Sequence, residues 1–548
     1  MANIIRYLDN KRYLNVILIV VPIALSSFTH IWNPIGYPAL HVDESHYMRR
    51  AMQVLQGLGP QESNATYDYG YDHPYFGQIF LAAVLSLVNY PYSINPSIDS
   101  HSIEMLYLVP RVLMGILAVV DTFLVYKIAD ARYNRKVAFI SSTLFAVMPL
   151  SSFLRGMFLD SIALPFILLS ILFAIYYAKS KAGNHSANSS GSGKNFLLIL
   201  PSGIFLGLAI FTKMPFFTLI PLVVFILLQK INTKGENGTK DKFRSTDIRG
   251  LAVWFLPVVL IPMIWPAYAI SVGQFDSWLD GVVYQTVRDS GGKDLRSSIL
   301  IILDLDPLLL IMASAAIIYA IIKKDYFILL WALPYLVFLY LIGWAVPFHW
   351  NILIPLLCIA AGILIYSLIS AMASRKLIKF FPHILISALV IIGFVSTTRF
   401  IELNLNTLYF QLYLFVIQEL EHHNAANGKE TPSHDGISII GSHRTRALIW
   451  IPIYVFKHNI TFRETDIPKD NFTAPIKTKK FLIVADSNLL SRLIESDQYT
   501  RDATVTRLYY NKSDTMATFI DKDYAKNNHM NIDQNYGFGW FVDVSSNY

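Results

Sequence analysis

The chain has 548 residues, of which 54% are hydrophobic and only 15% are charged, with a mean hydropathy of +0.43. Soluble domains carry about a quarter charged residues, so this composition excludes an ordinary soluble protein and indicates an integral membrane protein. The net charge is +7, but the basic residues lie in short clusters between apolar runs, a pattern typical of membrane topology and not of nucleic-acid binding.

Eleven apolar runs approach or reach the length of about 20 residues that a membrane-spanning helix needs. We predict spans at 13–30, 107–126, 137–153, 160–178, 196–212, 215–229, 251–271, 307–322, 326–344, 351–372 and 383–400. The shorter Phe76–Tyr90 run is predicted to lie in the membrane interface. The single cysteine, Cys358, lies in an apolar run, which excludes a disulfide framework and a Cys metal site.

The loop charges predict the orientation. With the N-terminus in the cytoplasm, most Lys and Arg residues of the loops fall on the inner side, as the positive-inside rule requires. Residues 31–105 and everything after about residue 401 are then outside. This topology predicts the plasma membrane in a prokaryote or the endoplasmic reticulum in a eukaryote.

The last part of the chain differs from the rest. Residues 1–400 form the predicted membrane domain, whereas residues 401–548 contain strand-like runs and a helix pattern at Asn488–Glu495. Alternation of strands and helices predicts a small outer α/β domain. The strand-like runs are Ile437–Ile440, Phe481–Ala485 and Thr504–Tyr510. The fold class is therefore an all-α polytopic membrane protein with amphipathic juxtamembrane helices and a small outer α/β domain.

An acidic pair, Asp43-Glu44, follows the first predicted span and opens a helical pattern over Asp43–Leu58. The apolar positions of this pattern form one face, which predicts an amphipathic helix lying on the membrane surface. A carboxylate that is partly shielded from water there could serve as a general base. The alternative is that Asp43 only caps the helix.

More polar residues follow at the predicted outer ends of the spans. His73-Pro74 predicts a turn before a helix, and Arg111 follows Pro110 at the outer end of the second span. Arg155 and Asp160 bracket the next outer turn, and Lys213 ends the fifth span. Each charge alone can be explained by snorkelling to the headgroups. Together they indicate a site for an anionic lipid headgroup and its acceptor.

The order of these elements resembles the GT-C membrane glycosyltransferases, and most closely the protein O-mannosyltransferase and aminoarabinose-transferase branch. The resemblance covers residues 1–400. Its pieces are the Asp43-Glu44 pair, His73-Pro74 as a counterpart of that family's His-Pro-Pro or Lys-Pro-Pro turn, Arg111, the Ala146–Ser152 segment with Arg155 and Asp160, Gly207 with Thr212-Lys213, and His349–Pro355.

The resemblance implies a reaction. The donor would be a sugar, most simply a mannose-like hexose, on polyprenyl or dolichyl phosphate, and the acceptor a hydroxyl of a protein, a lipid or a glycan. Asp43 would be the base of an inverting transfer, and Glu44 would help to orient the acceptor or sugar hydroxyls. Arg111, Arg155 and Lys213 would bind the lipid phosphate. The acceptor or sugar would be bound by His73, Asp160 and, from the outer loop Phe275–Arg296, Gln285 and Arg288.

The chain departs from the family's motifs at some positions, and the sequence does not determine whether a metal is used. Tyr75 and Gln78 stand where the mannosyltransferases usually have a second Pro and a Lys, and Tyr67–Gly70 is only a partial match, in another loop, to the oligosaccharyltransferase Trp-Trp-Asp-Tyr-Gly signature. We therefore do not expect transfer of a whole oligosaccharide to asparagine. Some members of this fold use a divalent metal and others do not, and no cofactor is fixed by the sequence.

A transporter or flippase for lipid-linked sugars is the alternative from a different class. Asp121 lies inside the second predicted span, and transporters keep ionisable groups near the bilayer midplane. The same residue could be a carboxyl paired within the helix bundle. The clustering of charges at the outer face and the lack of a two-fold sequence repeat favour the enzyme.

Overall fold

The computed structural model describes residues 2–61, 71–183, 192–229, 245–287, 294–372 and 381–406, and shorter stretches between residues 409 and 543. The chain divides into two compact units, of which the first comprises residues 1–34, 71–77 and 111–403, and the second residues 35–70, 78–110 and 404–548. The helices are α1 (Ala2–Ile31), α2 (Val42–Leu55), α3 (Phe76–Leu87), α4 (Ser100–Arg132), α5 (Arg135–Val147), α6 (Leu159–Gly183), α7 (Ser192–Thr212), α8 (Ile220–Leu228), α9 (Ser245–Leu260), α10 (Ile264–Ser271), α11 (Phe275–Val287), α12 (Leu295–Leu305), α13 (Pro307–Lys323), α14 (Tyr326–Ile342), α15 (Ile354–Met372) and α16 (Phe381–Ile401).

The core of the first unit is a bundle in which α6 packs along α7, α7 along α9, and α5 against both α1 and α15. Small residues permit the close approach of α7 and α9. A Cβ at Gly203 would lie 2.3 Å from the Trp254 carbonyl oxygen, and one at Gly207 would lie 2.5 Å from that of Pro257. This Gly-x-x-x-Gly spacing places both glycines on one helix face. Gly207, a motif residue of the resemblance, thus has a packing role.

Two proline residues follow sharp bends of the chain. Proline lacks an N–H and disfavours helical backbone in the residue before it, so Met148 is extended and α5 ends at Val147. The following 3-10 turn, Pro149–Arg155, is bent from α5 by 67°. A second bend, of 119°, separates α12 from α13 just before Pro307. The predicted span at 137–153 is therefore broken and not straight.

The described helices are those of a multi-pass membrane protein. Six are long and apolar enough to cross a membrane, or up to eight if each bent pair is one span. Four shorter apolar helices coincide with the predicted spans 13–30, 196–212, 215–229 and 326–344. The number eleven is not confirmed.

The run predicted to be interfacial is among the six, as Phe76–Ile94. Its regular helix is only α3, whose 12 residues extend about 18 Å, which is less than the hydrocarbon thickness. The run is therefore long enough to be a candidate membrane span only when the turns after α3 are included.

The second unit contains a mixed sheet. Its strands are β1 (Ile437–Gly441), β2 (Ile460–Glu464), β3 (Lys480–Val484), β4 (Thr504–Val505), β5 (Tyr509–Asn511) and β6 (Gly537–Asp543). The order is β2-β1-β3-β6-β4, with β5 also paired to β6, and β1 is parallel to both its neighbours. Strands thus occur at the three predicted runs. The predicted helix at 488–495 lies outside the described residues, so the α/β class of this unit stays a prediction.

Candidate active site

The acidic pair lies at the beginning of α2. The helix starts at Val42, and its N-cap is His41, whose Nδ1 accepts a hydrogen bond from the backbone N–H of Asp43 at 3.2 Å. The Glu44 carboxylate closes this cap by accepting from the backbone N–H of His41 at 3.1 Å. The alternative that Asp43 caps the helix is therefore wrong, since His41 and Glu44 perform that role.

The two carboxylates have different surroundings. The Asp43 side chain is 27% exposed, and its Oδ1 lies 3.7 Å from His41 Nδ1. Glu44 is fully buried and also accepts a hydrogen bond from the Tyr107 hydroxyl. Asp43 is thus the member of the pair that solvent can reach.

The rest of α2 packs in part on protein, whereas the sequence predicts a helix on the membrane surface. Its apolar residues Tyr47 and Ala51 are buried, and α2 packs against the turns at Thr445–Leu448 and Ile451–Val455. The Gln53 amide also donates to the Tyr454 hydroxyl at 2.9 Å. This part of the apolar face is therefore buried by other residues of the second unit.

Arg111 and Arg155 converge on the turn that follows α1. Arg111 donates to the Pro34 carbonyl at 2.9 Å, and Arg155 donates to the Trp32 carbonyl. Both side chains are fully buried. Because α4 begins at Ser100, Arg111 lies about three turns inside that helix and not at its start. The two guanidinium groups thus meet around one three-residue turn, within one unit.

Lys213 and Asp160 form a buried ion pair with Nζ to Oδ2 at 2.6 Å. Asp160 lies in the first turn of α6, and Lys213 follows α7. The Lys213 ammonium also lies 5.4 Å from the ring centroid of Phe348, which stacks on Phe158. The two charges were expected to have separate roles, and the structure joins them. An ammonium has three N–H donors, so the bond to Asp160 leaves capacity to bind an anion.

His73 lies in the turn before α3, as predicted, and its neighbours Tyr71 and Tyr75 contact the segment that contains α10 and α11. The Tyr71 hydroxyl donates to the side-chain oxygen of Gln274 at 2.7 Å. Burial and the neighbouring Tyr268 raise the pKa of both Tyr71 and Tyr75 to about 12, so both hydroxyls stay protonated at neutral pH.

The other two predicted binding residues belong to the loop after α10. Gln285 lies on α11, one turn after Gly281, and is partly buried. Arg288 lies outside the described residues. The structure therefore brings the elements of His73 and Gln285 together and leaves Arg288 untested.

Gly281→Ala is expected to disturb this arrangement. A Cβ at Gly281 would lie 2.4 Å from the Tyr71 carbonyl oxygen, so α11 or the His73 turn must move. We expect a loss of stability of about 1–3 kcal/mol and reduced activity. Thermal unfolding of the purified protein measures the first effect, with Val283→Ala, at a position 47% exposed on the same helix, as the control. Equal unfolding temperatures for the two variants would contradict this packing.

The described residues give no metal site. Within the ranges that the structure covers, no three His, Cys, Asp or Glu side chains are grouped closely enough to hold a metal ion.

Tyr107 is a site residue that the sequence did not reveal. It lies in the apolar first part of α4, where the sequence pattern predicts a core residue. Its contact partner Glu44 is 63 positions away in the sequence. No local signal marks such a contact.

A comparison with known families gives a match in sequence. Residues 63–275 match the family model of dolichyl-phosphate-mannose-protein mannosyltransferase. The matched range contains His73, Arg111, Arg155, Asp160 and Lys213, and it begins after the acidic pair. A comparison with curated protein sequences gives no significant match.

Solved structures share the fold. The oligosaccharyltransferase AglB from Archaeoglobus fulgidus, in complex with an inhibitory peptide and a dolichol-phosphate, matches with a TM-score of 0.53 and 11% identity, over 92% of this chain and 74% of that one. ArnT from Cupriavidus metallidurans, bound to undecaprenyl phosphate, matches with a TM-score of 0.50 and 11% identity, over 96% and 97%. At such identities the likeness concerns the fold alone.

Proposed function

We propose that this chain, a GT-C-type membrane glycosyltransferase of the polyprenyl-phosphate-sugar-dependent class, transfers a mannose-like hexose to an acceptor hydroxyl with inversion at the anomeric carbon. The observation that carries the choice of sugar and lipid is the match of residues 63–275 to the dolichyl-phosphate-mannose-dependent family. The same match favours a protein hydroxyl as the acceptor.

Asp43 is the proposed base. It removes the proton of the acceptor hydroxyl as the oxygen attacks the anomeric carbon, and the bond from that carbon to the lipid phosphate breaks. The support is its partial exposure at a helix start where His41 and Glu44 form the capping box. Glu44, which is buried and bonded to Tyr107, supports the geometry of this helix start.

Lys213, Arg155 and Arg111 are the proposed ligands of the lipid phosphate. When the sugar leaves, the phosphate oxygen gains negative charge, and cations placed in advance stabilise that charge. Asp160 neutralises buried Lys213 until the donor binds and orients its ammonium. His73, Gln285 and Arg288 are the proposed contacts to the sugar or acceptor.

The experiment that tests this function compares donors. Purified protein in liposomes is given radiolabelled mannose on dolichyl phosphate, on undecaprenyl phosphate or on GDP, together with Ser- and Thr-containing peptides. We expect label in the peptides from the lipid donors only. Transfer from GDP-mannose in liposomes that lack polyprenyl phosphate would contradict the proposal.

Asp121 provides a specific observation for the transporter alternative. It is fully buried in α4, and within the described structure neither carboxylate oxygen has a hydrogen-bond partner. The test is movement of a fluorescent polyprenyl-phosphate sugar between the leaflets of liposomes that contain the protein. The transferase proposal predicts no acceleration, whereas an acceleration that Asp121→Asn abolishes would favour the transporter.

A further inference from the structure

The loop between α1 and α2 is held by one distant side chain. Residues 35–40 lead to the His41 cap and form no helix or strand. Their backbone groups bond to the Asn406 amide, which lies 371 positions beyond Ile35. The Asn406 Nδ2 donates to the carbonyl oxygens of Ile35 at 2.6 Å, Pro38 at 2.9 Å and Gly36 at 3.4 Å, and the Oδ1 accepts from the N–H of Leu40 at 2.9 Å.

These bonds suit an asparagine and no smaller or charged residue. A primary amide offers two N–H donors and one carbonyl acceptor in a single plane. Asn406 is fully buried, so the backbone groups that it bonds have little water to replace it. The neighbouring N–H of Leu405 adds a backbone hydrogen bond to the Gly36 carbonyl at 2.9 Å.

The bonded loop ends at the acidic pair. Leu40, whose N–H is held by Asn406, directly precedes the N-cap His41. His41 in turn donates its N–H to Glu44 and accepts from the N–H of Asp43. A continuous path of hydrogen bonds and covalent links therefore runs from Asn406 to the backbone of Asp43, within one compact unit.

We propose that Asn406 is a positioning residue that fixes the Asp43 carboxylate for proton removal by holding the loop 35–40. This inference rests on the proposed role of Asp43 as the base. Asn406 does not touch the substrate in this account. Its loss displaces the base, and a displacement of about 1 Å can lower a rate about a hundredfold.

The first experiment measures kcat and KM for three variants. Asn406→Ala removes all the side-chain bonds, whereas Asn406→Asp keeps the size and one acceptor but turns a carboxylate oxygen toward the Ile35 and Pro38 carbonyls. We expect kcat to fall about tenfold to a hundredfold in both, with little change in the KM for the lipid donor. The control is Glu402→Ala, at an exposed glutamate four positions earlier, which should keep the normal kcat.

A second experiment separates positioning from general damage to the fold. In an Asp43→Asn background the base is already absent. If Asn406 acts through Asp43, adding Asn406→Ala should then lower the residual rate by less than about twofold. A full tenfold further loss would overturn the inference. If Asn406→Ala unfolds in detergent, Asn406→Ser takes its place in both experiments.

The two hypotheses fail in distinguishable ways. Full activity of Asp43→Asn would overturn the proposed base and, with it, the role of Asn406. Loss of activity in Asp43→Asn with a normal kcat in both Asn406 variants would overturn only the positioning role.

Discussion

Asp43→Asn is expected to lower the rate of sugar transfer by about 10²- to 10⁴-fold, the usual contribution of a positioned general base. The fold should be unaffected, because α2 is capped by His41 and Glu44, and the bond from Asp43 to the cap uses its backbone N–H. The contact between His41 and Asp43 is partly exposed and contributes little to stability. Rates from a labelled lipid donor, at equal amounts of folded protein, measure the effect.

Two variants serve as controls for this prediction. Asp304→Asn changes an exposed aspartate on α12 and should keep the normal rate. Glu44→Gln keeps the size of the buried side chain and an acceptor for Tyr107, so we expect a smaller loss than in Asp43→Asn. A larger loss in Glu44→Gln, with Asp43→Asn active, would transfer the role of base to Glu44.

Lys213→Met is expected both to destabilise the protein and to abolish transfer. Removing the ammonium leaves Asp160 buried without its cation, and breaking a buried ion pair costs about 3–5 kcal/mol. Replacing both members, as Lys213→Met with Asp160→Asn, removes the uncompensated charge and should restore most of the stability. Transfer should stay lost in the double variant, since the cation proposed to stabilise the leaving phosphate is still absent.

Thermal unfolding and transfer rates together test this prediction. Lys179→Met, at an exposed lysine near the end of α6, is the matched control and should change neither quantity. A double variant that is stable and fully active would show that the pair is only structural.

The sequence predicted the positions of the membrane helices better than the contacts of the candidate site. Apolar runs determine where helices form, and the long runs became α4, α6, α9–α10, α15 and α16. The bends before Pro149 and Pro307 were not predicted, although proline acts on its own neighbours and can mark such positions in a sequence. Their angles depend on packing between distant helices, which periodicity does not contain.

The contacts of the site lie between residues far apart in the chain. Lys213 and Asp160 are separated by 53 positions, and Asn406 and Ile35 by 371, so no local pattern links either pair. The cap of α2 was missed for another reason. Asp is a preferred N-cap residue and His is not, but Glu44 completes a capping box with His41 and so selects the earlier start.

The apolar face of α2 shows a further limit of sequence patterns. Amphipathic periodicity identifies a face that must be buried, but it does not identify what buries it. The apolar face of α2 was predicted to lie on the membrane surface, whereas Tyr47 and Ala51 of this face are buried and α2 packs on residues 445–455 of the same unit. These residues begin about 400 positions later, beyond the range of any local pattern.

The most direct test of the central claim is the anomeric configuration of the product. Wild-type protein is given a polyprenyl-phosphate sugar of known configuration and an acceptor, and NMR of the product is read together with the amount of polyprenyl phosphate released. Direct displacement with Asp43 as the base predicts an inverted anomeric carbon and one released lipid phosphate for each sugar transferred. Retention of configuration, or no release from any lipid donor by folded protein, would contradict the account.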